Sequence, residues 1–166
     1  MLSRRLVVTL LLCSSTVAFA QGGAAPSIEG VWRIAEIVTT GANASKNTTP
    51  QPSLVIFARG HYSFLSVNGT TPRKALEPAK DPAKLTDAEK IARYDQWQPF
   101  TANSGTYEIK GTTLTRRPIV AKNVAAMTNT SIVEEFKLEK DALWLTNKSP
   151  AGQPSSETQT RLVRIR

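Results

Sequence analysis

The chain has 166 residues, with 21 Lys plus Arg against 13 Asp plus Glu, a formal charge of +8 and 40% hydrophobic residues. That length suits one domain and excludes a multidomain enzyme, while the composition excludes a disordered tail. A single Cys and a single His exclude a disulfide-stapled scaffold and any multi-Cys or multi-His metal site.

In chain order, residues 1–20 carry the marks of a secretory signal peptide. Met1-Leu2-Ser3-Arg4-Arg5 is a basic opening, Leu6 to Leu12 an apolar stretch, and Ala18-Phe19-Ala20 a small-x-small cleavage site. The apolar stretch is too short for a permanent transmembrane helix, so a periplasmic or secreted domain is expected. Cleavage after Ala20 removes Arg4, Arg5 and Cys13. The alternative, a lipidated Cys13, is disfavoured by the bulky Leu12 before it. Residues 21–27 form a small-residue leader expected to be flexible, and residues 28–166 the folded domain.

From Ile28 to Val38 apolar and polar residues alternate with period two, as in a half-buried strand. A polar stretch with Pro50 and Pro52 follows as a loop. Ser53–Arg59 and His61–Val67 flank Gly60 as a hairpin. Residues 68–86 hold Pro72, Pro78 and Pro82 and suit a loop. Thr86-Asp87-Ala88-Glu89 is a capping box, which predicts a helix to about Gln98 before Pro99 stops it. Its Ile91-Tyr94-Trp97 stripe is expected to face the body of the protein. Strand signals resume at 104–109 and 112–117 around Lys110-Gly111. Residues 118–129 suit either an irregular loop or a bent strand. Two further strands, 131–139 and 142–147, meet at Lys140-Asp141, and a last one runs from Glu157 to Arg166. Eight strands in hairpin order predict an all-β fold: an eight-stranded antiparallel barrel with one short helix, closed so that no edge is left exposed.

These residues resemble a known family. Ile28-Glu29-Gly30-Val31-Trp32-Arg33 is similar to the opening Gly-x-Trp signature of lipocalins. The hairpin around Gly60-His61-Tyr62, the helix ending near Tyr94, the 104–109 and 143–146 strands and a last strand ending in Arg resemble the bacterial lipocalin-like domain. The resemblance spans about Ile28 to Arg166 and implies a closed or nearly closed β-barrel with an apolar calyx. In that signature Gly30 lets another backbone approach closely and Trp32 plugs the closed end. The resemblance also implies an Arg of the last strand over that indole; Arg164 is the first choice and Arg161 the second.

Some charges break the alternation. Glu36 shares a face with Trp32 and Ile34, Glu134 with Ile132 and Phe136, and Arg116 with Leu114. Turned inward, each would need an ion pair, a ligand or water, because an unpaired buried charge is costly. With the aromatic residues, the candidate ligand-binding set is Glu36, Phe57, Tyr62, Tyr107, Arg116, Glu134 and Trp144. The bland alternative puts these charges in water at the barrel mouth and the aromatics in the core. His61 at a hairpin tip suits an exposed turn residue, and no cofactor is implied.

The expected function is therefore binding of one small hydrophobic or amphipathic molecule by a monomer, with no nucleic-acid partner. The basic Arg116-Arg117 and Arg161/Arg164/Arg166 groups allow contact with a membrane surface. Two alternatives stand beside it. One is a small enzyme acting on a lipophile through Glu36, Arg116 and Tyr107. The other is a filled barrel that meets a partner protein through loops 41–52 or 68–86.

Overall fold

The computed structural model describes residues 27–128 and 130–166. The signal peptide assigned to residues 1–20, Cys13 and all of the leader except Ser27 lie outside the described residues. Alternating sequence becomes barrel wall through β1 (Gly30–Gly41), β3 (Ser53–Ala58), β4 (His61–Val67), β5 (Phe100–Lys110), β6 (Thr113–Ala121), β7 (Ile132–Glu139), β8 (Ala142–Lys148) and β9 (Ser156–Arg164). Each of these strands is antiparallel to the next, and β9 returns to pair with β1 from Trp32↔Arg164 to Gly41↔Ser156. The predicted all-β, eight-stranded antiparallel barrel with one short helix is the architecture found. A short β2 (Ser45–Asn47), inside the stretch expected to be loop, adds to the outer half of β1.

Local chemistry sets the turns. Arg59 and Gly60 link β3 to β4 with φ of 49° and 76°, the two positive values that a two-residue hairpin turn of type I′ requires. The ambiguous 118–129 stretch divides. Its first residues continue β6 past a bulge at Ile119, between the pairs Gly105↔Pro118 and Ser104↔Val120, and Val124–Met127 forms one 3-10 turn. A second bulge matters more. In β1, Ile34 pairs with Leu162 but Glu36 pairs with Arg161, so Ala35 is an extra residue. One inserted residue moves everything after it to the opposite face. Ile37 therefore packs against the core while Glu36 turns outward to Lys46 of β2, at 3.1 Å.

The helix α1 (Asp87–Trp97) starts at the predicted capping box. Thr86 Oγ1 accepts from the Glu89 amide at 3.3 Å, and the Thr86 amide donates to Glu89 Oε2 at 2.8 Å. Its orientation corrects the sequence-based expectation, since Ile91, Tyr94 and Trp97 are 60%, 66% and 53% exposed. The half-buried side of α1 carries Ala92, Arg93 and Gln96 instead. The reason lies in what it packs on. The 68–86 segment presents backbone carbonyls, which accept from Arg93 (Glu77 O, 3.5 Å) and Gln96 (Lys74 O, 2.7 Å). A surface of carbonyl acceptors selects donor side chains, not an apolar stripe.

The core fills one half of the barrel. Ile28, Trp32, Val55, Phe57, Leu114, Leu143, Leu145 and Leu162 are all 0–2% exposed, and Tyr107, Phe136 and Leu138 pack against them. The end where Trp32 lies is the closed end. The other, where the 68–99 connection leaves β4 and enters β5, is the open end.

Candidate functional site

At the closed end, Trp32 is fully buried and its indole Nε1 donates to Ile28 O at 2.8 Å. The Arg164 guanidinium lies 4.2 Å from the centre of the indole, within cation–π range. Its Nη1 donates to Glu29 O at 2.6 Å and its Nη2 to Ser27 O at 3.2 Å. The glycine is explained by the same contact. Gly30 holds φ of +139°, and a methyl group on it would collide with Arg164 Nη1. What approaches Gly30 is thus a side chain and not a second backbone strand. Arg161, the alternative partner, lies over Trp144 at 5.8 Å.

The open half is chemically different. Tyr62 and Phe64 point inward from β4, Arg116 from β6 and Glu134 from β7, each by simple alternation with a core residue on its own strand or a facing one. Arg116 is 4% exposed, an unusual position for a guanidinium. It donates through Nε at 3.1 Å and Nη2 at 2.8 Å, and both bonds land on Glu134 Oε2. The guanidinium carbon lies 5.2 Å from the Tyr62 ring centre and 4.9 Å from that of Phe64. Nη1 is buried without a hydrogen-bond partner among the described residues. The Tyr62 hydroxyl donates to Asn103 Oδ1 at 2.8 Å. Burial pushes its pKa up, the Arg116 charge opposes that, and the Glu134 charge adds to it. Tyr62 therefore stays a neutral donor at ordinary pH.

On the Glu134 side of this pair, with Arg116 not among the lining residues, the barrel opens into a cavity of about 370 Å³. Glu134, Leu145, Asn147, Ser156, Thr158 and Thr160 are among its lining residues. That volume falls within the range of small-molecule sites. Neither Thr158 nor Thr160 stood among the expected site residues, although both share the inward face of Leu162 in β9. The signal was present in the alternation, hidden by the polarity of threonine.

The seven candidate residues do not converge. Arg116, Glu134 and Tyr62 come together. Phe57 and Tyr107 meet edge to face at 5.2 Å within the packed half, and burial followed by the Glu29 charge raises the Tyr107 pKa. Glu36 is on the outer surface because of the Ala35 bulge. Trp144 is also outward, between the inward-facing Leu143 and Leu145, with Nε1 at 3.4 Å from Glu139 Oε2. Around it runs an outer groove of about 520 Å³, where Lys137 is paired with Glu139 at 2.5 Å and the neighbouring Lys148 with Glu135 at 3.3 Å. Those charges already have partners, and the groove offers a ligand less than the interior pair does. His61 is exposed at its hairpin tip, with Nδ1 at 3.1 Å from Arg59 O. Among the described residues, no three His, Asp or Glu side chains gather into a metal-binding group.

No protein-family model matches the chain, and no curated protein matches it. An uncharacterized protein from Bacteroides eggerthii, known from its crystal structure, is similar at a TM-score of 0.40 and 8% sequence identity. The similarity covers 80% of this chain and 97% of that one.

Proposed function

We propose that this protein is an exported, lipocalin-like binding protein that holds one small amphipathic molecule at the open end of its barrel and leaves it chemically unchanged. The observation that carries this reading is the Arg116–Glu134 pair, whose side chains are 5% and 11% exposed and whose Glu134 lines a cavity. An ion pair buried this far gains little over a well-packed apolar pair of the same volume, because desolvation offsets the attraction. Its place beside a cavity suits a polar handle for a ligand. The ligand's volume lies at the open end, since the closed half is filled by side chains. The lipocalin-like assignment draws on the Gly30-x-Trp32 opening and on Arg164 over that indole, both structural features that say nothing of the ligand.

The catalytic alternative has less support. Glu36, one of its three groups, is outside the barrel, and Tyr107 stacks in the packed half rather than at the cavity. Binding is best read by amide NMR of delipidated protein titrated with short amphipaths, because none of the three tryptophans lines the cavity. Saturable shifts confined to Glu134, Leu145, Thr158 and Thr160 are expected. Shifts that never saturate, or that spread over the outer surface, would overturn the reading.

A further inference from the structure

We propose that the outer surface of α1, with the end of β6, docks the open end of the barrel on an anionic lipid bilayer. This goes beyond the ligand reading and does not rest on it. Among the described residues, seven large apolar side chains are more than half exposed, and six of them lie here: Ile91, Tyr94 and Trp97 of α1, then Ile119, Val120 and Val124. Single exposed apolar residues need no account, but a group of six does. Each part has a local cause. The donor side chains of α1 are engaged by carbonyls of the 68–86 segment, which leaves the apolar stripe outward. The bulge at Ile119 breaks the alternation, so Ile119 and Val120 both face solvent. The two parts meet at Trp97. Its ring packs against Phe100 at 5.1 Å, and Lys122 Nζ donates to Trp97 O and Gln98 O at 2.6 Å each. α1 belongs to the connection from β4 to β5 and Val124 to that from β6 to β7, both at the open end.

The charges select a lipid surface over a protein. Lys122 Nζ lies 5.8 Å from the Trp97 ring centre and the Arg73 guanidinium 5.2 Å from that of Phe100. Neither cation has a carboxylate partner among the described residues. Two acidic groups of α1 are engaged at its opening turn, Asp87 with Lys90 at 2.9 Å and Glu89 with Thr86 at 2.8 Å. The third, Asp95, shares a cleft wall with Arg73 and Lys74. Cations without a counter-charge attract the phosphates of an anionic bilayer, while tryptophan and tyrosine settle their rings at headgroup depth. Lysine is depleted from protein–protein interfaces, so a lysine over Trp97 argues against a protein partner. The arginines first expected to meet a membrane are engaged elsewhere. Arg116 is buried, Arg117 pairs with Glu108, Arg161 lies over Trp144, Arg164 over Trp32, and Arg166 pairs with Asp141.

The experiment is co-sedimentation of the protein with vesicles of equal parts phosphatidylcholine and phosphatidylglycerol, and with vesicles of phosphatidylcholine alone. Binding to the mixed vesicles is expected to be roughly fivefold or more tighter, the effect of about one cation near a charged surface, and to weaken with added salt. Ile91→Ser with Tyr94→Ser should weaken it roughly tenfold, because two apolar side chains no longer enter the headgroup layer. Both side chains are already in water, so the double variant should fold. Ile109→Ser, which alters an exposed apolar residue beside the β5–β6 turn at the closed end, should bind as the wild type does. Absence of sedimentation with the mixed vesicles overturns the proposal, as does equal binding by the double variant or equal binding to phosphatidylcholine alone. A wild-type dimer that the double variant converts to monomer, with no vesicle binding by either, also overturns it, since a second copy then covers the face. The lipid comparison needs no variant and decides alone if the double variant fails to fold. None of these outcomes bears on the cavity reading, whose shifts fall on Glu134, Leu145, Thr158 and Thr160.

Discussion

At each end of the barrel an arginine lies against a buried or half-buried aromatic side chain. At the closed end Arg164 lies over Trp32 at 4.2 Å and donates from its outer nitrogens to the Glu29 and Ser27 carbonyls. At the open end Arg116 sits beside two rings and is neutralised by Glu134, with Nη1 unpartnered among the described residues. The first arrangement ties both terminal nitrogens to backbone carbonyls over a buried indole. The second leaves Nη1 without a hydrogen-bond partner among the described residues, and its Glu134 borders a cavity. The first guanidinium is tied to backbone, while the second is held by a carboxylate that itself lines open volume.

The largest effect expected from breaking this contrast is at the open end. Glu134→Ala leaves the Arg116 charge buried and unpaired, and urea unfolding should show a loss of roughly 3–5 kcal/mol. At the closed end Gly30→Ala should cost less, about 1–3 kcal/mol by the same measurement, from a left-handed backbone and a collision with Arg164. Removing Arg164 first should shrink that cost, so the two substitutions should be non-additive in a double-mutant cycle.

A smaller effect is expected in alkali. Tyr62 and Tyr107 both have pKa values raised by burial, so the folded state holds their protons more firmly than the unfolded chain does. Their contribution is fully present below the unfolded tyrosine value of about 10 and is lost as pH rises through the higher folded values. Unfolding free energies measured from pH 8 to 11.5 should hold level and then fall above about pH 10. The smallest effect belongs to α1, where Ile91→Ser and Tyr94→Ser should each shift stability by no more than about 0.5 kcal/mol, because both side chains are already in water.

Much of the fold was legible because strand alternation reports directly on which side chains face inward. Leu114 with Arg116, and Phe136 with Glu134, share faces in the barrel as they do in the sequence. The capping box at Thr86 and Glu89 was equally plain, being a local interaction. Glu36 was not legible. Its face depends on a one-residue bulge at Ala35 that arises from pairing with β9, more than a hundred residues away in the chain. Trp144 was ambiguous for another reason: β8 is apolar on both sides of Leu143-Trp144-Leu145, so alternation gives no direction. The α1 stripe misled because periodicity reveals an apolar face and not what lies opposite it, and here backbone carbonyls lie opposite. The threonines of the cavity wall were readable from the phase of Leu162 but carried no apolar signal to draw attention.

The central claim is that Arg116 and Glu134 serve a ligand and not the fold. The most direct test is an amide NMR titration of the Arg116→Met, Glu134→Leu double variant with 1-octanol. Replacing the whole pair by apolar groups should leave a dispersed, folded spectrum, since no charge is stranded. It should also abolish the saturable shifts at Thr158 and Thr160. A double variant that binds octanol as the wild type does would contradict the claim, as would one that fails to fold.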